Sequence, residues 1–273
     1  MSGTNIGFNP IADLSRITVA KMSRQSAKHR IALLSGNKIN TISDDASGFS
    51  LARGPKDNRR GFAKALDNIG NAKNLLNTII VSYDEINELL MKIKELAVQG
   101  ADGVFDTNQR NAIQGMIDAA LAEIDDIVNS TVFQASNLID GSFTGKTFQT
   151  GAYAGVTFNV DVDNADTTTL GVVGVNVNTS ADGRAAMDTV DNALALLARA
   201  MQKAGEYFLR LEAEEKTIRL TKTSIERIRS QIEDADFDQE QMASQRIAVL
   251  MEMGFTSLKD AIAAPQQVLS LFA

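Results

Sequence analysis

The three prolines of this 273-residue chain stand at positions 10, 55 and 265, so nothing from 56 to 264 carries the residue that breaks a helix interior. Residues 11–99 and 187–270 read as long helical sequence, and between roughly 141 and 180 lies a Gly/Thr/Asn/Asp/Val-rich stretch with no helical pattern. Helical terminal arms joined through a central loop fold back on one another. That organisation favours a rod-shaped interaction protein over a compact enzyme. The expected fold class is mostly α: an antiparallel helical bundle or coiled coil from both chain ends, with a small β-hairpin region in the middle.

The strongest periodicity runs from 62 to 97. Phe62, Leu66, Ile69, Leu76, Ile80, Tyr83, Ile86, Leu90, Ile93 and Ala97 recur mostly at steps of three and four, one stripe of a helix. Lys73 falls where the stripe would continue and can snorkel its stem. Gly100, Asp102 and Gly103 stop the helix, and Asp106 or Thr107 caps the next, whose stripe is Ile113, Ile117, Ala120, Ile124 and Ile127. A short connection between matched stripes predicts an antiparallel pair ending near Asn129–Ser130.

From Phe143 to Val177 short strands and one or two hairpins fit the glycine-punctuated valines better than helix does. The C-terminal arm begins near Ala185. Leu211, Ile218, Ile225 and Ile232 repeat every seven residues with Ile228 at a d-type position, while Glu214 and Thr221 occupy the other d-type positions and leave the seam imperfect. A last helix, with Met242, Ile247, Leu250, Met253, Leu258 and Ile262 apolar, is expected to end at Pro265, followed by the apolar tail Val268, Leu269, Leu271 and Phe272, which calls for burial by a partner.

Chemistry-bearing constellations are missing from the sequence. Cysteine is absent and there is one histidine, His29, between Lys28 and Arg30, which reads as a partly solvated helix residue and cannot build a multi-histidine metal site. No Gly-rich phosphate loop or nucleophile elbow occurs. Asp44–Asp45, Asp125–Asp126 and Glu233–Asp234–Asp236 read as caps and ion-pair partners, because neighbouring acids on a helix point in different directions. The expectation is no enzyme activity, no cofactor and no metal. Net charge is −7 but uneven: residues 1–70 hold eleven Lys/Arg against five Asp/Glu, a net of +6, leaving −13 for the rest. Without stacking aromatics among the cations, that arm points to an acidic partner rather than nucleic acid. No run approaches the roughly 20 apolar residues of a membrane span, and the start lacks a signal-peptide pattern.

Several blocks then resemble bacterial flagellins. Leu34-Ser-Gly-Asn-Lys-Ile-Asn-Thr-Ile-Ser-Asp-Asp-Ala-Ser-Gly48 is similar to the N-terminal signature of that family, and Lys94-Glu-Leu-Ala-Val-Gln99 to a helix end that commonly reads RELAVQ. Phe133-Gln-Ala-Ser-Asn-Leu-Ile-Asp-Gly-Ser142 is similar to the family's first turn. Ser230-Gln-Ile-Glu-Asp-Ala-Asp-Phe237 and Pro265-Gln-Gln-Val-Leu-Ser-Leu271 resemble the C-terminal signature. The blocks cover the chain in the family's order.

The resemblance implies a secreted subunit that self-assembles into the helical flagellar filament used for motility. In the family, paired terminal arms form the core, called D0, and longer helices with a hairpin region form D1. Carried over, 1–45 is the N-terminal D0 arm, 46–140 the D1 helices, 141–182 the hairpin part of D1, 183–233 the C-terminal D1 helix and 234–273 the C-terminal D0 arm, with too little chain for a large outer domain. The expected assembly interface is Leu14, Ile17, Ile31, Leu34, Leu250, Met253, Leu258, Ile262, Val268, Leu269 and Leu271. The expected D1 core is Leu66, Ile69, Leu76, Ile80, Leu90, Ile93, Ile113, Ile117, Ile124, Leu211, Ile218, Ile225 and Ile232. Implied partners are other flagellin subunits, hook-associated and cap proteins and an export chaperone, with neither nucleic acid nor membrane. Export through the flagellar type III apparatus fits the missing signal peptide. A hook–filament junction protein is the alternative; the strong Gln266–Leu271 tail favours flagellin. An enzyme carried on flagellin arms would need an inserted domain, for which the middle is too short.

The sequence departs from the family in its opening, in Ile31-Ala-Leu-Leu34, and in Arg53-Gly-Pro-Lys56, where the proline predicts a helix break. Positions matching the Arg, Leu and Glu that the innate immune receptor reads are Lys92, Leu96 and Met116, a pattern that implies weak receptor activation.

Overall fold

In the computed structural model, residues 9–270 are described, and side chains from 9 to 264. Five helices and two small antiparallel hairpins follow in the order α1 (Pro10–Ser35), α2 (Ala46–Gly100), α3 (Thr107–Ser130), β1 (Val132–Phe133), β2 (Ser136–Asn137), β3 (Lys146–Gln149), β4 (Thr157–Val160), α4 (Ser180–Glu233) and α5 (Phe237–Ser270). They make two compact units: one from residues up to Asp57 with those from Ser224 onward, the other from Asn58 to Thr223.

The second unit is organised by helical seams. On α2 a buried stripe runs through Phe62, Ala65, Ile69, Ala72, Leu76, Ile79, Tyr83, Ile86, Leu90, Ile93 and Ala97 in steps of three and four, with Leu75, Ser82 and Leu96 buried beside it. That strict spacing is the 3.5-residue repeat of coiled-coil packing. It corrects the expected stripe at two places: Leu66 and Ile80 are only half-buried, and Ala65 and Ile79 take their places. Alanines carry the seam where it was read as interrupted, so Lys73 lies beside it and reaches across to Glu215 at 3.0 Å.

The partner surface is α4, whose buried residues Gly183, Ala186, Val190, Ala193, Leu197, Ala200, Ala204, Leu211 and Ile218 keep the same register. Small residues on α4 let the Ile- and Leu-rich face of α2 approach closely, and the two run antiparallel, with Lys94 paired to Asp191 and Lys73 to Glu215. At the far end Gly183 abuts Ala101, whose backbone nitrogen lies 2.6 Å from where a Cβ on Gly183 would stand. Ile225 and Ile232, expected in this core, fall in the first unit and are half-buried.

Helix α3 starts from a capping box, with Asp106 accepting from the Gln109 amide and Gln109 accepting from Asp106. Ile113, Ile117, Ala120, Ile124 and Val128 are buried, while Ile127 is half-buried, because the last step of the stripe is four rather than three. α3 returns along α2: Arg110 bonds the carbonyls of Gly100 and Asp102, and Thr131 donates to Ser82 at 2.9 Å.

Two hairpins follow. The β1–β2 turn places Gln134 at φ 47° and Ala135 at φ 64°, left-handed backbone that a tight two-residue turn requires and that Asn-Gly meets most cheaply. Residues 143–177 hold one hairpin, β3–β4, and from 161 to 179 the chain is irregular, where alternating strands were expected. Helix side chains satisfy that segment's backbone in place of a strand: Asp125 accepts from Thr167 and Gln114 from the Val177 amide, while Val162, Ala165, Leu170, Val172, Val175 and Val177 are buried.

Two expected helix ends are corrected. α2 runs unbroken through Pro55, with Leu51, one turn earlier, on exposed surface where water can take the unpaired carbonyl. α5 continues past Pro265 to Ser270. α4 begins at Ser180, five residues before the expected start.

Replacing Gly183 with Ala should lower unfolding free energy by about 1–3 kcal/mol, because a Cβ would meet Ala101 backbone that cannot rotate away. Chemical denaturation of the monomer measures this, and an unchanged midpoint would contradict the close approach.

Candidate assembly surface

The first unit is built on α1 and α5. Asn9 caps α1 and donates from its side chain to the Ala261 carbonyl at 2.7 Å. His29 Nδ1 lies 2.5 Å from a Glu240 carboxylate oxygen, so the chain's one histidine has a charged partner 211 residues away. The helices are therefore antiparallel. Beyond α1, Gly36 at φ 71° ends the helix, and the turn that follows locks onto the turn before α5: the Lys38 amide donates to the Glu233 carbonyl at 2.7 Å and the Ala235 amide to Gly36 at 2.9 Å.

Mapping burial onto α1 inverts the usual amphipathic pattern. The face turned inward is Ala12, Ser15, Val19, Met22, Ser26, His29 and Ala32, spaced by threes and fours and mostly small or polar, with Val19 and Met22 its apolar bulk and Leu33 half-buried beside it. The large apolar residues are outside: Ile11 and Leu14 are each 66% exposed and Leu34 is 87% exposed, with Ile17 and Ile31 also exposed. α5 has two apolar stripes. Ile247 is buried and Leu250, Gly254 and Leu258 are half-buried, with Gly254 facing Val19 and Met22; Met242, Val249, Met253 and Ile262 are exposed. A soluble helix pair ordinarily hides its large apolar side chains. This pair covers Val19, Met22 and Ile247 among small residues and leaves the large apolar side chains Ile11, Leu14, Ile17, Ile31 and Leu34 of α1 outside.

Each sequence-expected assembly residue can thus be placed. Leu14, Ile17, Ile31, Leu34, Met253 and Ile262 are exposed, and Leu250 and Leu258 are partly covered. Val268 and Leu269 lie on α5 beyond the described side chains, and Leu271 lies outside the described residues. Sequence reasoning missed the inner face of α1, whose signal is a regular spacing of alanine and serine rather than of leucine. Of the receptor-matching positions, Lys92 and Met116 are exposed and Leu96 is 9% exposed.

The acid clusters serve the fold. Asp44 accepts from the amides of Asn40 and Thr41 and pairs with Lys28, and Asp45 caps α2 through the Ser47 and Gly48 amides. Glu233 and Asp234 pair with Arg229. Among the described residues no group of His, Cys, Asp and Glu could hold a metal ion, and no helix is long and apolar enough to cross a membrane.

The comparisons with known proteins point the same way as the exposed arms. The pattern of the bacterial flagellin N-terminal helical region matches residues 9–144, and that of the C-terminal helical region matches 187–272. The chain belongs to the bacterial flagellin family. It is 25% identical to a flagellar filament 33 kDa core protein of Treponema phagedenis, over 97% of this chain and 99% of that one. It is also 25% identical to a flagellin of Halalkalibacterium halodurans over 90% and 92% of the two chains. Crystalline Bacillus cereus flagellin shares the fold, with TM-score 0.51 and 21% identity, covering 56% of this chain and 88% of its own. The fold recurs in a Vibrio parahaemolyticus chain provisionally assigned as hook-associated, with TM-score 0.60 at 16% identity, covering 70% of this chain and all of that one. This flagellin is a structural subunit of the flagellar filament, the extracellular appendage of motility, and the junction-protein alternative is not favoured.

Several carboxylates of this flagellin are held below their ordinary range. Amides, first that of Thr41, do so for Asp44, Ser142 for Asp140, and Arg219 with Lys73 for Glu215; at Asp166 burial pushes upward but hydrogen bonds, led by Thr169, outweigh it. Burial, aided by Asp163, raises the Tyr83 phenol, which donates to the Asp163 carbonyl at 2.6 Å. Burial lowers the Lys203 ammonium, but its bond to Asp163 reverses that and leaves it raised. Depressed carboxylates contribute stability that is present above about pH 4 and lost as pH falls through their folded values; the raised Tyr83 and Lys203 contribute below about pH 10 and lose it above. The monomer melting temperature should therefore fall on both sides, below pH 4 and above pH 10, and a flat calorimetric profile from pH 3 to 7 would contradict the acid limb.

Proposed function

We propose that the α1–α5 pair is the polymerising arm of the subunit, and that other copies cover the apolar side chains it leaves outside. The observation that carries this reading is the exposed apolar stripe of α1: Leu14, Ile17, Ile31 and Leu34 face solvent while a face of smaller bulk, Ala12, Ser15, Val19, Met22 and Ser26, is turned inward. Covering one such side chain is favourable by about 1.5–3 kcal/mol, and the gain recurs at every subunit of a polymer. Head-to-tail contacts that do not close generate an open helix rather than a ring. On this reading 1–45 and 234–273 form the D0-type core, and 46–140, 141–182 and 183–233 form D1. The chain has no enzyme activity. Its partners are further flagellin copies, hook-associated and cap proteins and an export chaperone, with neither nucleic acid nor membrane.

Purified chain, seeded or salted out, should form long filaments by electron microscopy, and a copy lacking 240–273 should form none. Closed rings, or filaments from the truncated copy, would contradict the role given to α5.

The receptor-matching surface supports weak immune detection. Met116 carries no charge, Lys92 offers a point charge in place of a bidentate fork, and Leu96 is 9% exposed. In a receptor reporter assay, monomer should signal weakly and Met116→Glu with Lys92→Arg should raise the response; strong signalling by the unaltered monomer would refute this.

A further inference from the structure

The seam of α4 carries two residues that the coiled-coil repeat does not ask for, Glu214 and Thr221, at positions where Leu211 and Ile218 set the pattern. Both line one groove of about 370 Å³ in the second unit, closed on the other side by Phe62 and by the β3–β4 loop. The loop's rim is apolar and open: Tyr153 is 58% and Val156 47% exposed, and Tyr153 is braced edge-on against Phe62 and hydrogen-bonded to Asn58. Within the groove, Glu214 Oε2 is buried without a hydrogen-bond partner. The nearby cations are committed elsewhere, since Lys73 and Arg219 both pair with Glu215. A dry carboxylate oxygen in an apolar groove costs stability unless a positive charge arrives.

We infer that this groove is a socket for a lysine side chain from a second copy of this chain, its methylene stem lying between Tyr153, Val156 and Thr217 and its ammonium beside Glu214. Lysine fits better than arginine because one carboxylate oxygen is enclosed, so the group cannot present both oxygens to a guanidinium fork. A second copy is the occupant because the chain polymerises, and because a half-buried acid with one enclosed oxygen amid apolar walls is complementary to an aliphatic cation; the inference rests on that filament reading. A tyrosine at the rim of a pocket containing a desolvated charge is also the composition of an interface hot spot.

Glu214→Gln keeps the shape and removes the charge. The expected result is a critical concentration for polymerisation raised about tenfold, with a monomer melting temperature equal to or above that of the unaltered chain. A purely structural role for Glu214 would lower the melting temperature, and that outcome, or an unchanged critical concentration, overturns the proposal. A second readout uses filaments of mixed ¹⁴N- and ¹⁵N-labelled copies treated with a carbodiimide, which joins a carboxylate to an amine in contact. An isotopically mixed Glu214–lysine peptide supports the socket; single-isotope pairs only, or no link at Glu214, overturn it. Filaments of the unaltered chain in the same micrographs test assembly itself, so the two readings fail separately.

Discussion

Everything in the larger unit hangs on the antiparallel seam between α2 and α4, and that seam depends on unequal side-chain size. One helix supplies mostly large residues, Ile69, Leu76, Ile79, Ile86, Leu90 and Ile93; the other alternates Ala186, Ala193, Ala200 and Ala204 with Val190, Leu197, Leu211 and Ile218. Large against small brings the axes close and keeps the apolar stripe in step over many turns, which a 3.5-residue repeat does and a 3.6-residue repeat does not. α3 and the irregular valine segment pack on α2 as well, through Thr131 on Ser82 and Val177 on Gly100. Gly183 against Ala101 carries the same logic to the end of the pair.

Where the repeat weakens, other chemistry takes over. Glu214 and Thr221 interrupt the apolar positions of α4, and there the β3–β4 loop lies over the helices with Phe62 and Tyr153 edge to face. Hydrogen bonds from helix side chains, chiefly Asp125 and Gln114, tie down a stretch that has no ladder of its own. Polar groups here position backbone that apolar packing alone would leave ambiguous.

The smaller unit follows the opposite rule. Its helices meet through alanine, serine, Val19, Met22, Gly254, Ile247 and a His29–Glu240 pair, and α1 turns Ile11, Leu14, Ile17, Ile31 and Leu34 outward. Such a pair leaves a large apolar surface on α1 exposed. Subunits that must be exported and then assembled are well served by arms whose strongest contacts lie between chains, because ordering entropy is then offset only on assembly.

The amino-acid sequence by itself determined that both chain ends are helical, that the middle holds hairpins and that flagellins are the relatives, because proline placement, apolar spacing and local motifs are properties of neighbours along the chain. It also marked Ile69, Leu76 and Ile117 as packing positions, but passed over Ala65 and Ala72. Tertiary structure alone decided which of two adjacent residues, Ile79 or Ile80, Ala65 or Leu66, faces the seam, since a shift of one position turns a helical side chain by about 100° and only the partner surface selects the phase. The structure likewise carries α2 through Pro55 and α5 past Pro265, and turns Ser15 and Ser26 of α1 inward while Leu14 and Leu34 stay exposed. No local pattern carries that information, because it resides in what the opposite helix has room to accept.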